Sequence, residues 1–593
     1  MTTQAPTKPS VTSTEHTFKS WNGKEIFYRA WSPRRPSETN KALLLFHRGH
    51  EHSGRFQDFV ERLGLEDYWI FAWDARGHGR TEGERGYAES FAALVRDVDA
   101  YVRHLEHQYD VPQRNMAVVA NSIGAVLVSA WVHDYAPAIR ALVLTTPALR
   151  VKLYVPLAIP ALRLLNKVRR KSFVKSYVLP TMLTHDDDMI RDYAADPLVA
   201  RDIAVNVLLE MHDASTRLMA DASAICVPTL MLSGGSDWVV RQRPQKAFFD
   251  DLTSPVKEFE RYDDFYHSVL QEHDRDRPIA RIRTFLEQAF AQPSEPPSLV
   301  DADQRGYTKQ AADALRRPLF PLSPRALYYG GMKLVLKTLG RMSAGVRLGW
   351  RTGFSSGESL DHVYRDQARG WSPLGRMADR LYLNSPGWIG IRQRKLLVEE
   401  LLLQAVRDID ASGKPVRILD IASGPGRYVL DAIRRFPDIE FSALLRDLDE
   451  PALARGRAIA AERGLENVAF ERGDALDEQS LAGMNPQPTV AIVSGLYELI
   501  PDNPPILASL RGLAAALEKD GLLIYTNQPW HPQQELIARA LVGIDGEPWV
   551  MRCRTQVEMD QLVAAAGFEK LRTLATDNGI FTVSLARRVD SNS

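Results

Sequence analysis

The stretch Met116-Ala-Val-Val-Ala-Asn-Ser-Ile-Gly-Ala125 decides the fold of the first half of this chain. It begins as a continuous apolar run, which is typical of a buried strand in a parallel sheet, and continues into an apolar helical pattern. Ser122 lies at the junction, and the residues two positions away on either side, Ala120 and Gly124, are small. A sharp strand-to-helix turn that presents a nucleophilic serine needs small residues there. The stretch predicts such a turn, although an ordinary serine between a strand and a helix gives a similar local pattern.

A nucleophilic serine needs a base, and the base needs a carboxylate that orients it. His267 is the candidate base, and Asp237, which follows the strand-like run Thr229–Ser233, is the candidate carboxylate. The chain order serine, aspartate, histidine is the order that α/β-hydrolases use. An oxyanion site also needs two backbone N–H groups. We expect one from Ile123 and the other from the loop 46–55.

The sequence around this turn predicts a mostly parallel sheet covered by helices. Short apolar runs alternate with helical patterns, which is typical of an α/β fold. Asn22-Gly23 predicts an antiparallel hairpin before the parallel strands begin. The stretch from about 149 to 222 breaks the alternation, and we expect it to form an inserted helical cap. The predicted strands are Ala42–Phe46, Trp69–Trp73, Met116–Ala120, Ala141–Thr145 and Thr229–Ser233.

Two further motifs give the first half a specific resemblance. His47-Arg-Gly-His-Glu-His-Ser-Gly-Arg-Phe56 resembles the H-G-x-G-x-H-S-x-R-[YF] loop of the monoacylglycerol lipase and serine-aminopeptidase-like branch of the α/β-hydrolases, with Arg48 in place of the first glycine. Asp74-Ala-Arg-Gly-His-Gly-Arg-Thr-Glu-Gly83 resembles the D-x-x-G-H-G-x-S-x-G turn of the same branch. The resemblance covers roughly residues 15–290. It implies a serine hydrolase that acts on a lipid-like ester through an acyl-enzyme. The residues that it implies are Ser122, Asp237 and His267 for catalysis, Gly49 and Ile123 for the oxyanion site, and His50, His52 and His78 as a hydrogen-bonding scaffold.

The second half contains a glycine-rich turn of the kind that binds nucleotides. Arg417-Ile-Leu-Asp-Ile-Ala-Ser-Gly-Pro-Gly-Arg427 is an apolar strand followed by small residues and a helical pattern, so its backbone can approach a ligand closely. Asp447 ends the next strand, where a carboxylate can hold ribose hydroxyls. A nicotinamide-binding fold is the competing interpretation. It is disfavoured because the G-x-G-x-x-G spacing is absent and because Asp577-Asn578-Gly579 predicts an antiparallel last strand.

These features resemble class I S-adenosylmethionine methyltransferases, with Ala422 in place of the first loop glycine. The resemblance covers about residues 370–590 and implies a seven-stranded, Rossmann-like sheet. Asn527-Gln528-Pro529-Trp530 superficially resembles the N-P-P-[YFW] motif of amide and amine methyltransferases, but it follows the fifth strand and not the fourth. The residues that the resemblance assigns to S-adenosylmethionine are Asp420, Ser423, Gly424 and Gly426 for the methionine side, Asp447 for the ribose, Asp474 and Ala475 for the adenine, and Ser494 facing the methyl group.

Composition limits the partners that the chain can have. The 593 residues carry 74 Lys and Arg and 74 Asp and Glu, and this balance argues against a nucleic-acid binder. Only Cys226 and Cys553 occur, so a disulfide framework and a cysteine zinc site are disfavoured, and we expect no metal. Without a recognisable signal peptide, we expect a cytoplasmic protein. Two basic segments contain no acidic residue. Val151–Thr184 is either a lid that suits an acyl chain with an anionic head group or an anionic membrane surface, or a cap helix that packs on its own domain. Ala314–Gly357 contains either an interfacial membrane helix or a packing helix that covers the expected methyltransferase pocket. Together the two segments predict peripheral contact with the anionic inner face of a membrane.

We therefore predict two doubly wound α/β sheets on one chain, as in bacterial fused proteins of a hydrolase and a methyltransferase. The predicted domains are an α/β-hydrolase over 1–290, a linker over 291–305, a helical basic extension over 306–410 and a class I methyltransferase over 411–593. The predicted function is bifunctional: a serine ester hydrolase and an S-adenosylmethionine-dependent methyltransferase of an unknown acceptor. The alternative is that one domain is an inactive scaffold or binding module that serves the other.

Overall fold

The computed structural model describes residues 11–35, 39–152, 154–155, 157–169 and 171–589. The chain divides into two compact units, Met1–Pro297 and Ser298–Ser593, which we call the first and the second unit. Across the described residues, the first unit contains one eight-stranded sheet and the second contains one seven-stranded sheet. Both predicted α/β folds are confirmed.

The strands of the first unit lie in the order β1-β2-β4-β3-β5-β6-β9-β10. From β4 to β10 the neighbours are parallel, and β1 and β2 form the antiparallel hairpin that Asn22-Gly23 predicted, closed by residues 20–24. A separate antiparallel pair, β7 and β8, lies in the cap. The strands are β1 Thr14–Lys19, β2 Glu25–Trp31, β3 Lys41–Phe46, β4 Tyr68–Trp73, β5 Met116–Asn121, β6 Ala141–Thr145, β7 Phe173–Lys175, β8 Asp202–Ala204, β9 Thr229–Gly234 and β10 Lys257–Tyr262.

The helices of the first unit cover this sheet and build the cap. Phe59 and Leu63 of α1 and Ile282 and Phe285 of α8 pack in one buried cluster with strand residues such as Leu43. The helices are α1 Gln57–Leu63, α2 Phe91–Tyr109, α3 Ile123–Tyr135, α4 Ala158–Val168, α5 Asp187–Ala195, α6 Val205–Ala220, α7 Gln242–Asp251 and α8 Asp276–Ala291.

Two features of the first unit differ from the sequence prediction. The cap was expected to be helical throughout, yet β7 and β8 interrupt it, because segments of three residues are too short to show a helical or strand period. The strand β10 was not predicted, since its sequence Lys-Glu-Phe-Glu-Arg-Tyr is rich in charge. It pairs only with β9 at the sheet edge, where charged side chains reach solvent.

The second sheet has the order β13-β12-β11-β14-β15-β17-β16. The neighbours from β13 to β15 are parallel, and β17 runs antiparallel to both β15 and β16, as the Asn-Gly turn predicted. The strands are β11 Val416–Ile421, β12 Phe441–Asp447, β13 Val468–Arg472, β14 Val490–Val493, β15 Leu522–Asn527, β16 Phe568–Ala575 and β17 Thr582–Arg588.

Alternate residues of these strands pack into two buried clusters, one on each face of the sheet. Ile418 packs with residues of α15 and α16, whereas its neighbour Leu419 packs with residues of α19 and α21. The helices of the second unit are α9 Ala302–Arg305, α10 Tyr307–Arg316, α11 Pro324–Lys337, α12 Ala344–Thr352, α13 Gly357–Arg365, α14 Pro373–Leu383, α15 Pro386–Ala411, α16 Arg427–Ala432, α17 Glu450–Glu462, α18 Glu478–Ala482, α19 Asn503–Ala516, α20 Gln534–Ala540 and α21 Gln556–Ala565.

The predicted linker 291–305 is shorter in the structure. The backbone N–H of Leu299 donates to Gln561 at 2.6 Å, and Asp303 accepts from the backbone N–H of Asn503 at 2.9 Å. These contacts show that residues from Leu299 onward belong to the packed second unit. The linker ends there because the Pro/Ser-rich composition ends at Ser298. Within the described ranges, no helix is both long and apolar enough to cross a membrane.

Candidate active sites

Ser122 lies on a strained turn between β5 and α3. Its φ of 53° and ψ of −111° are rare for a residue with a side chain. The turn is held by backbone hydrogen bonds: the Ser122 N–H donates to Thr145 at 2.9 Å, and the Ser122 carbonyl accepts from Ala148 at 3.1 Å. A Cβ atom at Gly124 would lie 2.5 Å from the carbonyl oxygen of His47, so a glycine is required there. The local geometry is that of the predicted turn.

The structure brings Ser122, His267 and Asp237 together. His267 Nε2 lies 2.8 Å from Ser122 Oγ, and His267 Nδ1 lies 2.8 Å from Asp237 Oδ2. An ionised carboxylate can only accept, so Nδ1–H donates to Asp237 and leaves Nε2 free to accept from the serine hydroxyl. The three residues are 5%, 3% and 2% exposed, respectively. This is a continuous hydrogen-bonded chain from a carboxylate to a hydroxyl.

Asp237 is held as an anion by more than the histidine. Burial raises the pKa of its carboxyl, but His267 and the backbone N–H groups of Val239 and Val240 outweigh burial and lower it overall. Those N–H groups donate to Asp237 Oδ1 at 2.7 and 2.9 Å. The carboxylate is therefore fixed in position and kept charged, which also fixes the tautomer of His267.

The two predicted oxyanion residues lie in contact. A Cβ atom at Gly49 would lie 2.7 Å from Cδ1 of Ile123, so the loop approaches the first turn of α3 as closely as a glycine permits. His47 shapes this loop: its Nδ1–H donates to the Arg48 carbonyl at 2.7 Å, and its Nε2 accepts from the Ala75 N–H at 3.0 Å. The backbone of Gly49 is thereby held beside the N-terminus of α3.

The neighbouring histidines make local hydrogen bonds. His52 Nδ1 accepts from the Gly54 N–H at 3.2 Å, and its Nε2–H donates to Asp196 at 2.8 Å. His78 Nδ1–H donates to the Arg76 carbonyl at 2.9 Å. His50 stands where the resembled loop has its second glycine and has a φ of 73°, a departure that the sequence analysis missed. Burial lowers the pKa of His50 to about 4, so its imidazole is neutral near pH 7.

Arg48, which replaces the first loop glycine, forms a buried ion-pair cluster that sequence reasoning did not find. Its guanidinium lies 2.8 Å from Glu51, donates to the Ser268 hydroxyl and covers the Tyr193 ring at 5.2 Å. Arg55 contacts Glu51 at 2.6 Å. Burial raises the pKa of Glu51, but Arg48 and Arg55 outweigh it and lower that pKa to about 2. Arg48 thus connects the loop that contains Gly49 to the residue that follows His267.

The second unit places its glycine-rich turn after β11. Ala422, Gly424 and Gly426 have φ values of 54°, 56° and 63°, respectively, so the turn is left-handed at alternate residues. A Cβ atom at Gly426 would lie 1.9 Å from the Leu445 side chain, whereas one at Gly424 would meet nothing within 4 Å. Gly426 is required for packing, and Gly424 presents open backbone.

Asp420 and Asp447 lie on either side of this turn. Asp420 is fully buried and accepts from the Tyr428 hydroxyl at 2.8 Å, and burial raises its pKa well above the ordinary range. Its second oxygen, Oδ2, has no hydrogen-bond partner among the described residues. Asp447 accepts from the N–H groups of Gly424 at 2.7 Å and Asp449 at 2.8 Å. The structure therefore joins the end of β12 to the turn after β11.

The other predicted residues of this site follow neighbouring strands. The Ser423 N–H donates to the Arg446 carbonyl at 3.0 Å, which ties the turn to β12. Asp474, after β13, is exposed and accepts from the Leu476 N–H at 2.9 Å, while Ala475 is buried. Ser494 is half-buried directly after β14. Because β13, β12, β11 and β14 are adjacent and parallel, all of these residues lie along one edge of the sheet.

Two other sequence motifs have structural partners. Asn527 donates to the Arg554 carbonyl at 3.1 Å, so its amide holds the loop before α21 and is not a free N-P-P-type amide. Asp186, in the acidic run Thr184–Asp188, caps α5 by accepting from the N–H groups of Asp188 and Met189. Within the described part of the chain, no group of His, Cys, Asp and Glu residues is arranged to hold a metal ion.

Comparison with known proteins assigns both units to families. Residues 37–274 match the family model "Serine aminopeptidase, S33", and residues 282–588 match the family model "Putative methyltransferase". "Uncharacterized protein YnbC" of Escherichia coli (strain K12) is 47% identical over 579 residues, with 97% of this chain and 99% of that protein covered.

A further relative and a solved structure match the first half of the chain. Monoacylglycerol lipase of Mycolicibacterium smegmatis is 25% identical over 279 residues, with 47% of this chain and 98% of that protein covered. Among solved structures, a soluble variant of monoglyceride lipase from Saccharomyces cerevisiae is 16% identical, with 49% of this chain and 99% of that chain covered and a TM-score of 0.43. The chain therefore belongs to the family "Putative methyltransferase" and carries, before the unit that this family defines, an α/β-hydrolase unit of the serine aminopeptidase S33 type.

Proposed function

We propose that the first unit is a serine hydrolase of lipid-like esters. The observation that carries this proposal is the hydrogen-bonded chain from Asp237 through His267 to Ser122, with both contacts at 2.8 Å. His267 Nε2 accepts the Ser122 proton as Oγ bonds to the ester carbonyl carbon. The same proton then passes to the leaving alcohol, and a water molecule deprotonated by His267 releases the acid. The N–H groups of Gly49 and Ile123 would stabilise the oxyanion in both steps.

The lipid-like character of the substrate rests on the relatives and on the cap. Relatives of the first unit include monoacylglycerol and monoglyceride lipases. In the cap, Leu157, Leu164 and Val168 of the α4 region are 77%, 64% and 81% exposed, respectively. Exposed apolar side chains beside Lys167 suit contact with an apolar chain or an anionic membrane surface. Arg170 and Leu153, also part of this predicted surface, lie outside the described residues.

A fluorophosphonate probe tests the hydrolase proposal directly. It phosphonylates an activated serine, with fluoride as the leaving group, and does not react with an ordinary serine, so the full chain is expected to be labelled at Ser122. Ser129 is a matched control, because it is buried in α3, the helix that directly follows Ser122, and its hydroxyl has no hydrogen-bond partner in the described ranges. The Ser129→Ala variant should be labelled as the wild type is, and the Ser122→Ala variant should not be labelled. Labelling that persists in Ser122→Ala would remove Ser122 from the mechanism.

We propose that the second unit is an S-adenosylmethionine-dependent methyltransferase. The residues present fit this cofactor: the unpaired Oδ2 of Asp420 suits an ammonium group, and the open backbone at Gly424 suits close approach of a ligand. A bound cation would favour the ionised form of Asp420, which burial otherwise disfavours. When bound, S-adenosylmethionine supplies an activated methyl group.

Four further predicted residues would contact this cofactor. Asp447 would accept from the ribose hydroxyls with lone pairs that Gly424 and Asp449 leave unused. Asp474 and Ala475 would contact the adenine. Ser494 would lie beside the transferred group, where the enzyme needs above all to position the acceptor.

Calorimetry on the full chain tests the methyltransferase proposal. S-adenosylmethionine is expected to bind with a stoichiometry of one, and S-adenosylhomocysteine is expected to compete. Heat that is absent with both ligands would overturn the proposal and favour the alternative, in which the second unit is a binding module or scaffold. The same measurement on Ser122→Ala should give an unchanged affinity, because that substitution lies in the other unit.

A further inference from the structure

A large apolar cavity lies within the second unit. Its volume is about 440 Å³, within the range of small-molecule sites. Helices α11, α12, α14, α15 and α20 contribute to its lining, together with the loops after β14 and β15. The apolar lining includes Phe354, Trp388, Ile391, Ile537, Trp549 and Phe581. This lining favours an occupant that is largely apolar, because a polar group placed against these apolar side chains would lose its water without replacement.

One end of the cavity is polar and carries a buried ion pair. Arg394 Nη1 lies 3.3 Å from Glu498 Oε1, which also accepts from the Thr526 hydroxyl at 2.7 Å. Arg394 and Glu498 are only 3% and 8% exposed. Arg394 Nε and Glu498 Oε2 are buried and have no hydrogen-bond partner among the described residues. The pair therefore keeps one buried donor and one buried acceptor unpaired within the described part of the chain, while its charges cancel.

This polar end lies at the sheet edge that carries the candidate cofactor residues. Gly495 lines the cavity and follows Ser494 at the end of β14, and β14 is the neighbour of β11, which carries Asp420. A Cβ atom at Gly495 would lie 2.7 Å from Arg394 Nη2, so the guanidinium contacts this loop directly. An occupant that reaches the ion pair therefore also reaches the strand end at which Ser494 is expected to face the methyl group.

Exposed apolar side chains also line the cavity. Val335, Leu339 and Leu381 line the cavity and are 48%, 66% and 68% exposed, respectively. Leu334 and Leu327, on the same helix as Val335, are 63% exposed each. The apolar lining thus continues to the surface, which allows an occupant to be longer than the cavity itself.

We propose that this cavity binds the methyl acceptor and that the acceptor is a neutral amphiphile with one long apolar chain and a hydroxyl head group. A hydroxyl both donates and accepts, which matches the unused atoms of Glu498 and Arg394. A charged head group would add an uncompensated buried charge beside a pair that is already neutral. His531, which also lines the cavity, does not supply a charge, because burial lowers its pKa to about 4. The proposal rests on the proposed methyltransferase function.

The test uses dodecan-1-ol as the probe, with dodecanoate and dodecyltrimethylammonium as charged comparators. Binding to the full chain is followed by tryptophan fluorescence, since Trp388 and Trp549 line the cavity. Dodecan-1-ol is expected to bind at least tenfold more tightly than either comparator. Equal or tighter binding of a charged comparator would overturn the neutral class of acceptor.

Variants localise the binding. Leu339→Arg places a charge at the exposed rim and should weaken the binding of dodecan-1-ol at least tenfold without affecting folding. Leu327→Arg is the matched control, because Leu327 is equally exposed on α11 but does not line the cavity. Glu498→Gln should weaken the binding of dodecan-1-ol by a larger factor than it weakens the binding of dodecane. Identical affinities in Leu339→Arg and Leu327→Arg would overturn the proposed site.

Calorimetry with S-adenosylmethionine on the same proteins separates the two proposals. If S-adenosylmethionine binds and dodecan-1-ol does not, the acceptor proposal is wrong and the methyltransferase proposal stands. If dodecan-1-ol binds at this cavity and S-adenosylmethionine does not, the cavity is a lipid site and its assignment to a methyl acceptor is wrong.

Discussion

The two units differ in whether the polar side chains at the carboxyl edge of their parallel sheets have hydrogen-bond partners. At the edge of the first sheet, Ser122, His267 and Asp237 already have their partners and are almost completely buried. At the edge of the second, Asp420 and Glu498 each keep a buried oxygen without a hydrogen-bond partner in the described part of the chain, and a cavity of about 440 Å³ adjoins Glu498.

This difference follows from the chemistry that we propose for each unit. A covalent nucleophile must be preorganised before the substrate arrives, so the protein supplies every partner itself. A transfer between two bound molecules needs positioning, so part of the hydrogen bonding is left for the ligands to complete. The predictions below test this contrast, from the largest expected effect to the smallest.

Ser122→Ala should lower kcat for a short-chain aryl ester by about 10⁴-fold or more, because triad members act as one unit. The measurement is steady-state hydrolysis by the full chain, with circular dichroism as the check on folding. Ser129→Ala, in the helix α3 that follows Ser122, should retain activity within about twofold. A Ser122→Ala variant with wild-type turnover would show that the hydrogen-bonded set of Ser122, His267 and Asp237 is not the catalyst.

Arg48→Met should destabilise the first unit by about 3–5 kcal/mol, because it leaves the buried Glu51 with one cationic partner instead of two. Hydrogen exchange on peptides of the first unit measures the loss. The control is Arg34→Met, since Arg34 pairs with Glu66 on the surface, where an ion pair contributes about 1 kcal/mol or less. Equal protection in the two variants would show that the Arg48 cluster does not stabilise the loop.

The same cluster predicts a pH dependence. The pKa of Glu51 is about 2 in the folded protein against an ordinary 4.5, so its contribution, about 3 kcal/mol, is present above pH 4.5 and is lost as pH falls toward 2. Arg48→Met raises the folded-state pKa toward the ordinary value. The variant's unfolding free energy should therefore fall less steeply than that of the wild type between pH 4.5 and 2 in denaturant titrations. Parallel slopes would contradict this origin of the acid sensitivity.

Asp447→Ala should weaken the binding of S-adenosylmethionine about tenfold or more, because hydrogen bonds to a charged group contribute about 1.5–3 kcal/mol. Calorimetry on the full chain gives the affinity. The neighbouring exposed carboxylate of Asp449 provides the control, and Asp449→Ala should bind within about twofold of the wild type. If the two variants bind alike, the ribose contact assigned to Asp447 is wrong.

The smallest predicted effect concerns membranes. We expect reversible attachment to anionic vesicles that fades as salt rises, since each basic side chain contributes about 1 kcal/mol and is screened over about 10 Å. Leu164→Ser in α4 and Leu327→Ser in α11 should each weaken attachment about fivefold in co-sedimentation. Val256→Ser, which exposes a similar side chain far from both helices in sequence, should not. A protein that stays in the supernatant with anionic vesicles at low salt would identify both helices as ordinary packing elements.

The structure bears on one of the two alternatives left open for the basic segment Ala314–Gly357, the helix that covers a pocket, and membrane contact stays a prediction. Val335, Leu336 and Leu339 line the cavity, as a helix that covers the methyltransferase pocket would require. Yet α11 buries none of its side chains completely, and Leu327, Tyr328 and Leu334 remain exposed. One helix can therefore both cover the cavity and present an apolar surface, which a helical period alone does not distinguish.

The sequence by itself determined the two folds and the residues that lie at the strand ends. Local rules were sufficient for these features: continuous apolar runs predict buried parallel strands, Asn-Gly predicts a hairpin, and small residues around Ser122 predict a sharp turn. The assignments of catalytic and cofactor residues stay predictions, although the structure brings Ser122, Asp237 and His267 within hydrogen-bonding distance.

Only the tertiary structure decided which distant residues complete each site. Arg48 replaces the first loop glycine of the resembled family, and in the structure its guanidinium contacts Ser268 and Glu51 and joins two segments of the first unit. The cavity of the second unit depends in the same way on distant segments, since its lining residues Val335 and Phe581 are 246 residues apart. Local sequence rules describe neighbours along the chain, whereas burial, charge compensation and cavity shape depend on contacts that form only when the chain folds.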